Sequence, residues 1–281
     1  MKVGHTGITW GIPGDVETAY RETAELGYLG FETFAFIIVD WNKRPGGYRA
    51  LIERNGIPTG AAYCYKQWID PETAAQDVDA ARGEADAAKD AGASTLVLQA
   101  GSRPANGYDQ DQMSRLAEAL NQIGSYCREI GLAAALHPHT RTAIETRNDI
   151  DTILRLTDSA LVGFAPDTGQ IAKGGSDILE VLNTHRDRIA HVHLKDWCGR
   201  YERDSAGKEI DTTGYVNYEP VGNGILPMPE ILEILLATGK DFWVNVELDG
   251  TDRAPRSPRE AAAMSRRYLG EILGDKVAWR R

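Results

Sequence analysis

A single (β/α)₈ barrel over residues 1–281 is the fold this sequence predicts. Three observations predict it. Short apolar or alternating segments recur along the chain, each followed by an amphipathic helical pattern. Strand and helix patterns alternate strictly, which implies parallel strands joined by right-handed crossovers. Eight such units in about 250 residues is the usual count and size for this barrel, and the Gly-rich fingerprint of an open dinucleotide-binding sheet does not follow the first strand.

The first strand is read over 3–10, VGHTGITW, and its helix over 15–27, with Asp15 as N-cap and Gly27 as the stop. Strands two and three are read over 28–35 and 58–66. A helix over 76–92 leads to strand four at 94–101, and one over 114–131 leads to strand five at 132–139; both helices end on glycine. Strands six, seven and eight are read over 161–168, 189–196 and 242–249. The last helix, 257–274, starts with Ser257 as cap and Pro258 at its first position. The rhythm is broken at about 198–226, a long loop after strand seven, and long loops in compact domains are usually functional or disordered.

With 42% hydrophobic and 26% charged residues the chain can build a sizeable core. Its formal net charge of −10 argues against a nucleic-acid backbone or an anionic membrane as partner, and leaves a small neutral molecule open. The three cysteines, Cys64, Cys127 and Cys198, have neither disulfide-framework nor metal-site spacing. No signal-peptide pattern and no membrane-spanning apolar run is legible, so a cytoplasmic location is expected.

Active sites of such barrels lie at the C-terminal ends of the strands. Strand five ends in His137 and His139, and strand six in Asp167. Strand seven places His191, His193 and Lys195 on one face, and strand eight places Asn245, Glu247 and Asp249 on one face. Strands four to one add Gln99, Lys66, Glu32, and His5 with Trp10. Taken singly, an inward histidine is more often a hydrogen-bonded structural residue, and Glu32 and Lys66 read as pairing with one another or reaching solvent. Arg253 and Arg256 read as solvated loop residues. Taken together, imidazoles and carboxylates aimed into one mouth are costly unless a cation gathers them. A mixed N/O donor set suits Mn²⁺, Mg²⁺, Co²⁺ or Zn²⁺.

The runs HPHTRTAIET, DTGQ, HVHLKD and VELDGT resemble the xylose isomerase-like barrels, a superfamily of sugar isomerases, epimerases and inosose dehydratases. EPVGNGILPMPEILEIL resembles the same family's approach to the seventh helix, and SRRYLGEILG its inositol-catabolic branch. The resemblance implies one divalent cation, Mn²⁺ first, held by Glu145, Asp167, His193 and Glu247. Many relatives carry the first glutamate where this chain has His137, so Glu145 and His137 both stand for that position. Gln170 departs from the commoner DTGH. The expected catalytic groups are Glu145, Glu247 and Lys195; His137, His139, Gln170, Trp10 and Gln99 are expected on the substrate. The reaction expected is proton abstraction next to the carbonyl of a keto-sugar or related polyol ketone, completed as isomerisation or epimerisation. An inosose dehydratase is the alternative. A sugar-binding barrel without catalysis and an apurinic-endonuclease-like hydrolase follow far behind, the latter disfavoured by the negative charge. The partner is a small sugar or cyclitol, and homo-oligomerisation is left open.

Overall fold

The computed structural model describes residues 1–12, 14–103, 107–201, 205–206, 217–249 and 256–280. Part of the long loop at 198–226, and Arg253, lie outside the described residues. Eight parallel strands form one sheet: β1 (Lys2–Thr6), β2 (Phe31–Phe34), β3 (Thr59–Tyr65), β4 (Thr95–Gln99), β5 (Ala133–His137), β6 (Val162–Phe164), β7 (Val192–Leu194) and, after a small pair formed by β8 (Asp196–Trp197) and β9 (Tyr218–Glu219), β10 (Trp243–Val246). Their order is β6-β5-β4-β3-β2-β1-β10-β7. The sheet curls until its two outer strands meet. Bridges Phe164–Ile189 and Asp167–His193 close it, with Ala190 N donating to Phe164 O at 2.9 Å and His193 N to Pro166 O at 3.0 Å.

The period-two pattern separates two layers. Leu96 and Leu98, Ala134 and Leu136, and Val244 and Val246 point outward and pack under the helices. Ala61, Tyr63, Val97, Ala135 and Ala165 fill the barrel interior. The small interior side chains leave room above them, where the inward positions become polar.

The helices are α1 (Val16–Glu25), α2 (Ala35–Trp41), α3 (Gly47–Asn55), α4 (Ala74–Asp90), α5 (Gln110–Glu129), α6 (Arg147–Leu156), α7 (Thr168–Lys173), α8 (Ile178–His185), α9 (Met228–Ala237) and α10 (Pro258–Leu273). The described residues therefore hold ten α-helices where eight were expected. The β2–β3 and β6–β7 connections are each split in two, at left-handed Gly46 and Gly47 beside Pro45 and at left-handed Gly175. The caps read from sequence form: Asp15 accepts from Thr18 N, and Ser257 closes a capping box with Glu260. The expected first strand stops at Thr6, and Gly7–Trp10 is a 3₁₀ turn.

Strand seven also ends early. Asp196 and Trp197 turn aside as β8 (Asp196–Trp197) and pair antiparallel with β9 (Tyr218–Glu219). Asp196 joins no catalytic cluster. Its buried carboxylate accepts from Gly222 N and Gly224 N, both at 3.0 Å, and from Leu226 N at 3.1 Å, and so ties down the chain that enters α9. A Cβ on Gly224 would meet Asp196 Oδ1 at 2.2 Å, so no larger residue fits there. Among the described residues no helix is long and apolar enough to cross a membrane.

Candidate active site

Inward positions near the C-terminal strand ends converge on one cluster. Glu32 comes from β2, His137 ends β5, and Asp167 follows β6 as the N-cap of α7. His193 lies in β7 and Asn245 in β10, with Lys195 and Glu247 one residue beyond those two strands. His137, Asp167, His193, Lys195 and Asn245 have no solvent exposure, and Glu32, Glu247 and Asp249 have almost none.

His193 is the pivot. Its Nε2 lies 2.8 Å from Glu32 Oε1, and its Nδ1 lies 2.9 Å from Glu247 Oε2. The other oxygen of Glu32 receives Asn245 Nδ2 and lies 3.0 Å from His191 Nε2. Lys195 Nζ lies between three carboxylates, at 2.6 Å from Glu247 Oε1, 2.6 Å from Asp249 Oδ2 and 3.0 Å from Asp167 Oδ2.

Burial and these neighbours set the charges. Burial would raise Glu32, but the imidazoles of His193 and His191 pull it down to about 2. Burial would raise Glu247 too; the charges of His193 and Lys195 overcome it and hold the carboxyl well below its ordinary value. Burial would lower Lys195 and His193, yet the surrounding carboxylates hold both well above their ordinary values. His137 Nε2 lies 3.9 Å from Asp167 Oδ2, and burial with the charge of His193 pushes the ring well below its ordinary value, so it is neutral. Asp249 is pushed up to about 6, mainly by burial.

Both ring nitrogens of His137 are buried without a hydrogen bond, while Asp167 Oδ2 and His193 Nδ1 are met by the ion-pair contacts to Lys195 and Glu247. Buried polar atoms rarely stay unpaired, because each costs about 1–3 kcal/mol. Among the described residues two buried sets have the spacing to hold a metal ion: His137 with Asp167 and His193, and Glu32 with His191 and His193. The donors fit a divalent cation of intermediate hardness.

A cavity of about 630 Å³ opens above the cluster, with Glu32, Glu247, Gln99, His139 and Thr140 among its lining residues. Gln99 accepts from Tyr63 OH, and His139 Nδ1 lies 2.7 Å from Thr140 O. Gln170 is buried behind His139. Its Nε2 lies 2.9 Å from His139 Nε2, and its Oε1 accepts from Thr140 Oγ1 at 2.8 Å and Tyr218 OH at 2.7 Å. It therefore braces the cavity wall rather than lining it.

Two residues expected at the site are placed elsewhere. Glu145 lies outside the cluster, about a quarter exposed, with Oε2 4.0 Å from Arg103 Nε. The reason is local: His139 N donates to Ile144 O at 2.9 Å, and this tight loop carries Glu145 past the mouth into the start of α6. Trp10 turns away on the 3₁₀ segment and donates to Glu22 Oε2 at 2.7 Å. Conversely, Glu32 does not pair with Lys66, which pairs with Glu84 at 2.6 Å. Glu32, His191, Asn245 and Asp249 are cluster members whose roles the motifs did not reveal. The available signal was strand parity, which aims all four inward.

Residues 20–269 match the family model described as xylose isomerase-like TIM barrel. Inosose dehydratase of Lacticaseibacillus casei is 31% identical over 170 residues, 59% of this chain and 56% of that protein. The chain thus spans little more than half the length of the first curated relatives it matches. Inosose dehydratase of Geobacillus thermodenitrificans (strain NG80-2) is 26% identical over 300 residues, covering 98% of each. Among solved structures, IOLI protein with a binding zinc atom superposes with a TM-score of 0.79 at 16% identity, covering 98% of this chain and 99% of that one. D-psicose 3-epimerase in the presence of D-fructose gives 0.76 at 15% identity, covering 98% and 100%.

Proposed function

The chain belongs to the xylose isomerase-like TIM-barrel family, and from that membership and the geometry of its cluster we propose a metal-dependent enzyme that removes the proton beside the carbonyl of a sugar or cyclitol ketone and then eliminates water. One observation carries the reading. Glu247 stands on the cavity wall with Lys195 Nζ 2.6 Å from one oxygen and His193 Nδ1 2.9 Å from the other. It is ionised, oriented and within reach of a bound ligand.

The ion is divalent, Mn²⁺ first, with Mg²⁺, Co²⁺ and Zn²⁺ as the other candidates; the zinc named for the IOLI neighbour supports this class. His137, Asp167 and His193, whose donor atoms converge, would hold it, with Glu247 beside His193 Nδ1 as the fourth ligand. When bound, such an ion acts as a Lewis acid toward the ketone oxygen and an adjacent hydroxyl. Glu247 takes the proton from the carbon next to the carbonyl, and that C–H electron pair becomes the new carbon–carbon double bond. The carbon–oxygen bond at the next carbon breaks, and the departing oxygen takes the proton back from Glu247 and leaves as water. Lys195 is fully buried and keeps Glu247 anionic between turnovers. Gln99, His139 and Thr140 on the wall receive the hydroxyls.

The inosose dehydratases aligned over the full chain support elimination as the outcome. Isomerisation or epimerisation shares the first step and returns the proton to carbon instead. Incubation with inosose and Mn²⁺ in D₂O separates the outcomes. Elimination gives a conjugated product that absorbs in the ultraviolet. A recovered ketone carrying solvent deuterium with no such product indicates the isomerase outcome. Absence of both signals would sink the reading.

Glu32 bears on this through His193. A carboxylate on the far nitrogen of a ligating imidazole fixes its tautomer and aim. Glu32→Gln should therefore weaken Mn²⁺ binding by about 10–100-fold, read by calorimetric titration. Unchanged affinity would show that Glu32 does not orient His193.

A further inference from the structure

The cavity has two unlike halves, and the proposed chemistry uses one. Its floor is polar, with Glu32, Glu247, His139 and Thr140. Toward the opening one wall is apolar, with Ile8, Ile12, Phe34, Phe36 and Tyr65, and Tyr63 continues it inward to His193. Phe36, Phe34 and Tyr63 form a continuous surface, with Phe34 centred 5.4 Å from Phe36 and 5.2 Å from Tyr63. Five large apolar side chains stand out as exposed among the described residues, and three of them, Ile12, Phe36 and Tyr65, surround this mouth at 41–50% exposure. Scattered exposed apolar residues need no explanation, but three converging on the entrance of one cavity do.

Size points the same way. An inosose has about twelve non-hydrogen atoms and fills on the order of 200 Å³ at the packing density of organic solids. The cavity is about 630 Å³. A bare polyol on the polar floor would leave the larger part of the cavity to water, which would lie against the apolar wall on one side and against Ser102, Arg103, Arg141 and Thr142 on another.

We propose that the mouth is a subsite for an apolar, ring-bearing substituent of the substrate, so that the natural ligand is an aryl-substituted keto-sugar or keto-cyclitol rather than a bare one. The proposal rests on the floor binding the polyol ketone, as argued above. The ketone half sits among hydroxyl-binding groups, and its substituent lies along Phe34, Phe36 and Tyr65. An offset or edge-on ring contact there adds to the burial of apolar surface.

The test is calorimetric titration of metal-loaded protein with methyl and phenyl 3-keto-β-glucosides. The phenyl compound should bind at least about tenfold more tightly, since even part of a ring's burial amounts to one decade in affinity. Phe36→Ser should bring the ratio of the two affinities to within about twofold; Phe36 is exposed enough for the change to spare the fold, and Tyr65→Ser provides a second check. A ratio near one in the wild type overturns the subsite, as does a ratio unmoved by both substitutions. The functional reading fails separately: inosose turnover with no phenyl preference sinks the subsite alone, and a phenyl preference with no exchange or elimination on any ketone sinks the proposed reaction alone.

Discussion

Metal-saturated Glu247→Gln is expected to bind a polyol ketone and to lose about 10²–10⁴-fold in turnover. An amide oxygen can still face the ion and still accept from Lys195, but an amide cannot hold the abstracted proton. The fold should survive, because the side chain keeps its shape and Glu247 is only 6% exposed among neighbours that the amide can satisfy in part. Kinetics at rising metal concentration separate the effects, since a defect in metal binding alone would be repaired at saturation. Solvent deuterium exchange beside the carbonyl should be lost with turnover. Turnover at the wild-type rate would remove Glu247 from the proton-transfer role whichever product forms.

His193→Ala is expected to weaken metal binding by more than about 100-fold, because loss of a ligand should exceed the 10–100-fold cost of losing an outer partner. The substitution removes a nitrogen donor and leaves Glu32 and Glu247 facing a void, with no ring between two carboxylates that lie within 3 Å of it in the native structure. Glu32 keeps Asn245 and His191 and Glu247 keeps Lys195, but the buried void is itself destabilising, so His193→Gln, which keeps a polar group in place, provides the second measurement. Elemental analysis after dialysis reads the metal directly. Undiminished metal in both variants would exclude His193 as a ligand. The first ligand position is decided the same way: His137→Ala should lose metal and Glu145→Gln should keep it, and the reverse result would restore Glu145 to the site.

The barrel was legible because parity along a strand is a local property. Val244, Asn245, Val246 and Glu247 alternate out and in whatever the rest of the chain does, and the same holds for Leu96 to Gln99 and Ala134 to His137. Parity also aimed His193, Lys195 and Glu247 inward, where they meet. What parity cannot give is the partner across the barrel. Glu32 and His193 are 161 residues apart in sequence, and only closure of the sheet makes them neighbours. Spacing within a motif misleads in another way: Glu145 follows His137 closely along the chain, but the turn closed by His139 and Ile144 aims it at Arg103. The two extra helices arise because paired glycines stop helices that the hydrophobic pattern alone would run on.

The closing seam of the barrel has a consequence for how the molecule opens. β6 and β7 are three residues each, and their edges meet at two isolated bridges rather than along a ladder. One of those bridges joins Asp167 to His193, so two of the proposed ligands stand on opposite lips of the same slit. An ion gripping both is a clasp, and the ligation energy that favours the loaded site also favours the shut cylinder. Local opening starts where hydrogen bonding is thinnest. The amide protons of Ala190 and His193, which cross the slit, should therefore exchange with deuterated solvent more slowly when Mn²⁺ is added, while those in the long β3–β4 ladder on the far side stay as they were. Equal slowing everywhere would mean that the ion stabilises the whole molecule and fastens no particular edge.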